Sequence, residues 1–120
     1  MRNILLLFVC ILFAGEVCSQ VTFTKVTTGA IVNDASYTEG VYWFDYNNDG
    51  LLDMFAANIT NQNNILFRND GSGNFTKITT GALVNDGGFS YGASIGDYNN
   101  DGFPDIFIVN GGSSASQNNF

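Results

Sequence analysis

The chain of 120 residues contains no histidine, and its only cysteines are Cys10 and Cys18, close to the N-terminus. Without histidine there is no imidazole metal site and no histidine general base. If the first residues are removed as a leader, the rest carries no disulfide, no thiol nucleophile and no thiolate cluster. Zinc and copper therefore lack their usual soft or imidazole ligands. Positive charge is also scarce, with 4 Lys and Arg against 11 Asp and Glu. Nucleic acid is not an expected partner, because no basic patch exists to displace counterions from phosphates. Beyond the leader no stretch has convincing helical periodicity, and β-branched Thr and Val are frequent.

The first residues have a separate role. Arg2 supplies a positive start and Ile4 to Ala14 is nearly all apolar. Val17 and Ser19 fit the small-residue positions before a cleavage point. Residues 1–19 thus read as a secretory signal peptide, cut between Ser19 and Gln20. The run is short for a membrane span, which needs about 20 apolar residues. The expectation is a mature chain 20–120, secreted or at the cell surface, with no membrane span and no cysteine. Outside the cell its stability must come from packing or another staple, and bound metal is the obvious candidate.

Beyond residue 19 the sequence repeats itself. Phe23-Thr24-Lys25-Val26-Thr27-Thr28-Gly29-Ala30-Ile31-Val32-Asn33-Asp34 returns 52 residues later as Phe75-Thr76-Lys77-Ile78-Thr79-Thr80-Gly81-Ala82-Leu83-Val84-Asn85-Asp86. The register holds without a gap from Phe23 to Asn58, and 20 of 36 aligned positions are identical. The units run over about 23–74 and 75–120, the second incomplete. Strands are expected at Val41–Phe44, Met54–Ala57, Ile65–Arg68 and Phe75–Thr79, and again at Ala93–Ile95 and Ile106–Val109. Val21–Val26, as the earlier copy of Phe75–Thr79, is expected as a strand too. The continuous apolar runs of Met54–Ala57 and Ile106–Val109 suit strands buried on both faces. The fold class is all-β: propeller-type blades of four short antiparallel strands, about two of them. Gln117-Asn118-Asn119-Phe120 faintly echoes Gln62-Asn63-Asn64-Ile65. A propeller needs about four to eight blades, so the chain is expected to be the N-terminal piece of a larger one.

Six acids fall in two nine-residue windows, Asp45–Asp53 and Asp97–Asp105. In the first, oxygen side chains stand at positions 1, 3, 5 and 9: Asp45, Asn47, Asp49 and Asp53. The second offers Asp97, Asn99, Asp101 and Asp105. Position 6 is glycine in both, Gly50 and Gly102, where a tight turn favours positive φ. Position 7, Leu51 or Phe103, offers a backbone carbonyl. Asn48 and Asn100, at position 4, are expected to point outward. A hard cation that takes six to eight oxygens suits this set, so two Ca2+ sites are expected. Magnesium is less suited, since it prefers to keep its own water. The pattern starts like an EF-hand loop, but position 12 is Ala56 or Ile108 rather than glutamate, and the flanks are not helical. An ordinary Asn/Asp/Gly turn is the bland alternative; the matched second copy speaks against it.

The acidic windows, each followed by Met54-Phe55-Ala56-Ala57-Asn58 or Ile106-Phe107-Ile108-Val109-Asn110, resemble the FG-GAP/VCBS repeat. That repeat builds the β-propeller of integrin α chains and occurs in many secreted bacterial proteins. Gly40-Val41-Tyr42-Trp43-Phe44 and Asn64-Ile65-Leu66-Phe67-Arg68-Asn69-Asp70-Gly71 also resemble its cartilage acidic protein/UnbV-like branch. The likeness covers most of residues 22–110. It implies blades whose calcium loops join the first and second strands. The phenylalanine-glycine half of the name is only approximated, by Phe89-Ser90-Tyr91-Gly92 and Tyr37-Thr38-Glu39-Gly40.

Other features are weaker. Asn58-Ile59-Thr60 and Asn74-Phe75-Thr76 match the N-glycosylation sequon. Tyr37, Tyr42, Trp43, Phe44, Phe89 and Tyr91 precede the acidic windows and suit core filling or stacking on a protein or carbohydrate partner. There is no nucleophile–base pair and no Gly-x-Ser-x-Gly, so no catalytic residue is expected here. The expected function is a secreted calcium-binding scaffold for binding or adhesion. The alternative is the non-catalytic propeller part of a larger secreted enzyme whose active site lies beyond this segment.

Overall fold

The computed structural model describes residues 21–111. The expected signal peptide at 1–19 and the echo at 117–120 lie outside the described residues. Within them are six strands and two single-turn 3-10 helices, Ala30–Val32 and Ala82–Val84, and no α-helix. No helix is long and apolar enough to cross a membrane among the described residues.

Strands β1 (Thr38–Phe44), β2 (Asp53–Asn58), β3 (Ile65–Gly71) and β4 (Asn74–Ile78) form an antiparallel meander in the order β1-β2-β3-β4. Strands β5 (Ser90–Gly96) and β6 (Asp105–Asn110) form a second antiparallel sheet. The repeat is visible in the register. Phe44 faces Asp53 and Gly96 faces Asp105, and each hairpin carries an irregularity, between Thr38 and Gly40 or between Ser90 and Gly92. The sheet boundary is offset from the sequence period. Phe75 opens the second sequence unit, yet β4 pairs with β3 and completes the first sheet.

The apolar run in β2 is buried on both faces, as its lack of alternation predicts. The matching run in β6 is not: Ile108 is buried while Val109 is exposed, because no third strand or further layer covers that face among the described residues. Successive side chains of a strand point to opposite faces. Phe55 and Ala57 join Phe44, Leu66, Val84 and Ile108 in a core shared with β5 and β6. Ala56 joins Ile65 and Phe67 on the other face, against Ile31, Met54 and Phe75. Phe55 and Phe67 are almost fully buried, and each contributes about 1.5–3 kcal/mol by leaving water.

One strand expectation fails. Val21–Val26 is not a strand; it is irregular and exposed, with Phe23 at 94%. Its copy Phe75–Ile78 is a strand because Arg68, Phe67 and Leu66 of β3 receive it. Val21–Val26 has no such ladder among the described residues, and unpaired backbone gains nothing from extension.

The sheets are also joined by buried polar groups. The Asn64 side-chain amide donates to Asp86 Oδ2 at 2.6 Å and to Ser90 Oγ at 3.0 Å, and its Oδ1 accepts the Asn58 N–H at 2.8 Å. Ser90 Oγ donates in turn to Asn110 Oδ1 at 2.7 Å. Thr38 and Asn58 make the same hydroxyl-to-amide contact in the first hairpin, at 2.8 Å.

Candidate metal centre

Each acidic loop joins the first two strands of its sheet, as the family resemblance implies: residues 45–52 link β1 to β2 and 97–104 link β5 to β6. The turn is built by side chains accepting backbone N–H groups. Asp45 Oδ1 accepts from Asp49 at 3.0 Å and Asp45 Oδ2 from Gly50 at 2.7 Å. Asn47 Oδ1 accepts from Asp49 at 3.3 Å, and Asp49 Oδ1 from Leu51 at 2.9 Å. The Asn47 amide donates to Asp49 Oδ2 at 2.8 Å. Asp53, the first residue of β2, accepts the Tyr46 N–H on Oδ2 at 3.0 Å.

The second loop repeats the set. Asp97 accepts from Asp101 at 3.0 Å and Gly102 at 2.8 Å; Asn99 accepts from Asp101 at 2.8 Å. Asp101 accepts from Phe103 at 2.8 Å and from the Asn99 amide at 3.0 Å, and Asp105 accepts from Tyr98 at 2.9 Å. Gly50 and Gly102 have φ of 86° and 88°. Both therefore sit in the conformation that a side chain disfavours, as their position in the turn predicts.

Position 1, 3 and 5 side chains are thus gathered in one turn, and position 9 reaches the residue beside position 1. Leu51 and Phe103 close the turns through their N–H groups. Among the described residues, no three acidic side chains converge closely enough to make a ready-made cage; the carboxylates lean on loop N–H groups instead. The donor set still fits a hard cation. It is all oxygen, and a carboxylate offers about four lone-pair sites, of which Asp45 and Asp97 each use two on backbone. Asn47, Asp49, Asn99 and Asp101 are exposed, and their side-chain oxygens keep lone pairs beyond those that the loop hydrogen bonds use. If calcium binds, Asp45, Asn47, Asp49 and Asp53 hold one ion and Asp97, Asn99, Asp101 and Asp105 the other, with Leu51 and Phe103 adding carbonyls.

Two contacts escape sequence reading. Asn48, with φ of 57°, sends its side-chain amide to the Gly102 carbonyl of the other loop at 2.8 Å. Its outward direction is as expected, but it is not idle. Asn69 of β3 gives its N–H to Asp53 Oδ1 at 2.7 Å and its amide to the Leu52 carbonyl at 2.9 Å. The recurrence of asparagine at position 4 is a usable signal for the first, since asparagine tolerates left-handed backbone. No sequence signal marks the second, which depends on strand pairing.

Elsewhere, Asp70 is held below the ordinary aspartate range by the Thr76 hydroxyl and then by Arg68. Asn58 is fully buried and hydrogen-bonded through its side chain, so the folded chain does not present it for glycosylation; Asn74 is exposed. Among the aromatics, Phe44 is core, and Tyr42 packs beside Phe55 with ring centroids 6.3 Å apart. Phe89 is half-buried, and Tyr37 and Tyr91 are exposed. Trp43 is exposed, edge-on to Phe75, beside a groove of about 550 Å³ that Met54 and Ile31 also line.

Residues 45–108, more than half of the chain, match the FG-GAP-like repeat family. No curated protein and no solved structure matches the chain. With two antiparallel sheets, paired loops at equivalent strand ends and a family match that spans both loops, the chain belongs to the FG-GAP-like repeat family.

Proposed function

We propose that the chain is a secreted, calcium-binding propeller-type module that serves binding or adhesion rather than catalysis. The recurrence of one hydrogen-bonding pattern in both acidic loops carries the reading. Two loops that keep three carboxylates, an amide and a glycine in the same places, 52 residues apart, serve one ligand chemistry twice. Bound calcium neutralises the mutually repelling carboxylates of each loop and fixes the hairpin that carries it. The exposed rings of Tyr37, Trp43 and Tyr91 suit contact with a protein or carbohydrate partner. Secretion rests on the leader-like residues 1–19.

The test is calcium-linked stability. A ligand that binds only the folded state stabilises it by about 2.7 kcal/mol at a hundredfold excess over Kd. Melting in calcium and in chelator is expected to differ accordingly, and calorimetry to count two ions per chain. Superimposable melts and no binding heat would refute the calcium reading.

A further inference from the structure

We propose that Asn48 couples the two acidic loops, so that a cation held in one raises the affinity of the other. The coupling rests on the loops being calcium sites. The Gly102–Phe103 peptide unit is gripped at both ends. Its carbonyl accepts from the Asn48 amide at 2.8 Å, and its N–H, on Phe103, donates to Asp101 Oδ1 at 2.8 Å. Hydrogen bonds in series polarise one another. The hold of Asn48 on the carbonyl therefore strengthens the N–H that orients Asp101, the position 5 carboxylate of the second loop.

The other end of the link is fixed by the first loop. The N–H that follows Asn48, on Asp49, donates to both Asp45 Oδ1 and Asn47 Oδ1. Those contacts hold Asn48 at φ 57° and aim its amide across the gap. A cation that restrains Asp45, Asn47 and Asp49 restrains this turn and keeps the amide on its target. Linkage makes the effect reciprocal. Asn100 has the same backbone, φ 60°, but makes no hydrogen bond to another loop among the described residues. The bond is single and exposed, so the coupling is about two- to fivefold in affinity.

The experiment measures calcium affinity of the second loop by calorimetry in the full chain, with the first loop intact and with it disabled by Asp49→Ala. The ratio of the two affinities is expected to be about two to five. Asn48→Gly keeps the left-handed backbone and deletes the amide; it is expected to bring that ratio to one, whereas Asn100→Gly leaves it in place. A ratio of one in the native chain, or a ratio that Asn48→Gly does not change, overturns the proposal. Amide hydrogen exchange without calcium gives a second readout: Asn48→Gly speeds exchange of the Phe103 N–H relative to that of Tyr98. If the exchange responds but neither loop binds calcium, the calcium reading has failed and the coupling falls with it. If both loops bind and the exchange is unmoved, the coupling alone is wrong.

Discussion

The first acidic loop leans on a third strand, whereas the second, among the described residues, has no third strand in its sheet and takes an outside contact from Asn48 of the first loop. Their internal hydrogen bonds correspond one for one, so the local sequence sets the shape of the turn. Their surroundings do not correspond. Asp53 is fully buried and its second oxygen clasps Asn69 of β3; Asp105 is only half-buried. Asp45 is half-buried and Asp97 exposed. A loop can therefore be specified in nine residues while its rigidity and dielectric setting come from strands elsewhere. Electrostatic interactions strengthen as water is excluded, so one nine-residue pattern stands in two unequal electrostatic settings.

The largest expected break in this comparison is at position 9. Asp53→Ala leaves the N–H groups of Tyr46 and Asn69 without their acceptor, and an unsatisfied buried group costs about 1–3 kcal/mol. In chelator, where no metal contributes, urea denaturation is expected to show a loss of about 3 kcal/mol for Asp53→Ala and about 1 kcal/mol for Asp105→Ala. Equal losses would mean that β3 gives the first loop no special support.

Next in size is the joint between the sheets. Asn64 is 2% exposed and satisfies Asp86, Ser90 and Asn58 together. Asn64→Ala is expected to cost about 2 kcal/mol in the same assay. Because it acts between sheets and not within a loop, calcium affinities should move less than stability does. A fall in affinity with no fall in stability would place its role in the loops instead.

The glycines sharpen the comparison from the opposite side. Gly50 and Gly102 share one backbone conformation, and an added Cβ would meet nothing within 4 Å at either. Only the left-handed backbone resists, at about 1–2 kcal/mol for an L-residue. Gly50→Ala and Gly102→Ala are thus expected to be equally costly, despite their unequal settings. A clear difference in midpoint would show that the surroundings reach into the turn itself.

Much of this architecture is legible from residues alone. The strands fall where apolar runs meet turn residues, because β2 and β6 are bounded by an aspartate that ends the loop and an asparagine that ends the strand. The shape of the acidic loops is legible because a turn of nine residues is governed by its own side chains. Relations between distant segments are not. The 3-10 turns at Ala30–Val32 and Ala82–Val84 come after glycines at φ 111° and 105°, and nothing in a Thr-Thr-Gly-Ala sequence demands them. A strand at Val21–Val26 is suggested by its copy, but a strand is a property of a pair, and only the copy has β3 beside it. Asn64, Asp86 and Ser90 read as turn residues, yet their placement in one buried network depends on how two sheets stack.

The smallest expected effect separates the acids that close the two Gly-Ala turns. Asp34 and Asp86 are equivalent in the repeat, but Asp86 clasps Asn64 whereas Asp34 pairs with Lys77 of β4 at 2.6 Å and accepts from the Ser36 hydroxyl. Burial pushes the Asp34 carboxyl up, but the Lys77 and Ser36 hydrogen bonds and the Lys77 charge outweigh it and hold it below the ordinary 3.8. A folded-state pKa below the unfolded one gives stability that is fully present above the unfolded value and fades as pH falls through the folded one. The window is therefore below about pH 4. Lys77 is 44% exposed, so solvent screens the pair and its contribution is a few tenths of a kcal/mol to about 1 kcal/mol. Lys77→Met removes the dominant partner. The variant is expected to be slightly less stable at neutral pH and to lose less on acidification below pH about 4 than the native chain. Stability curves that run parallel from pH 7 to pH 2 would show that the pair is a contact without energetic weight.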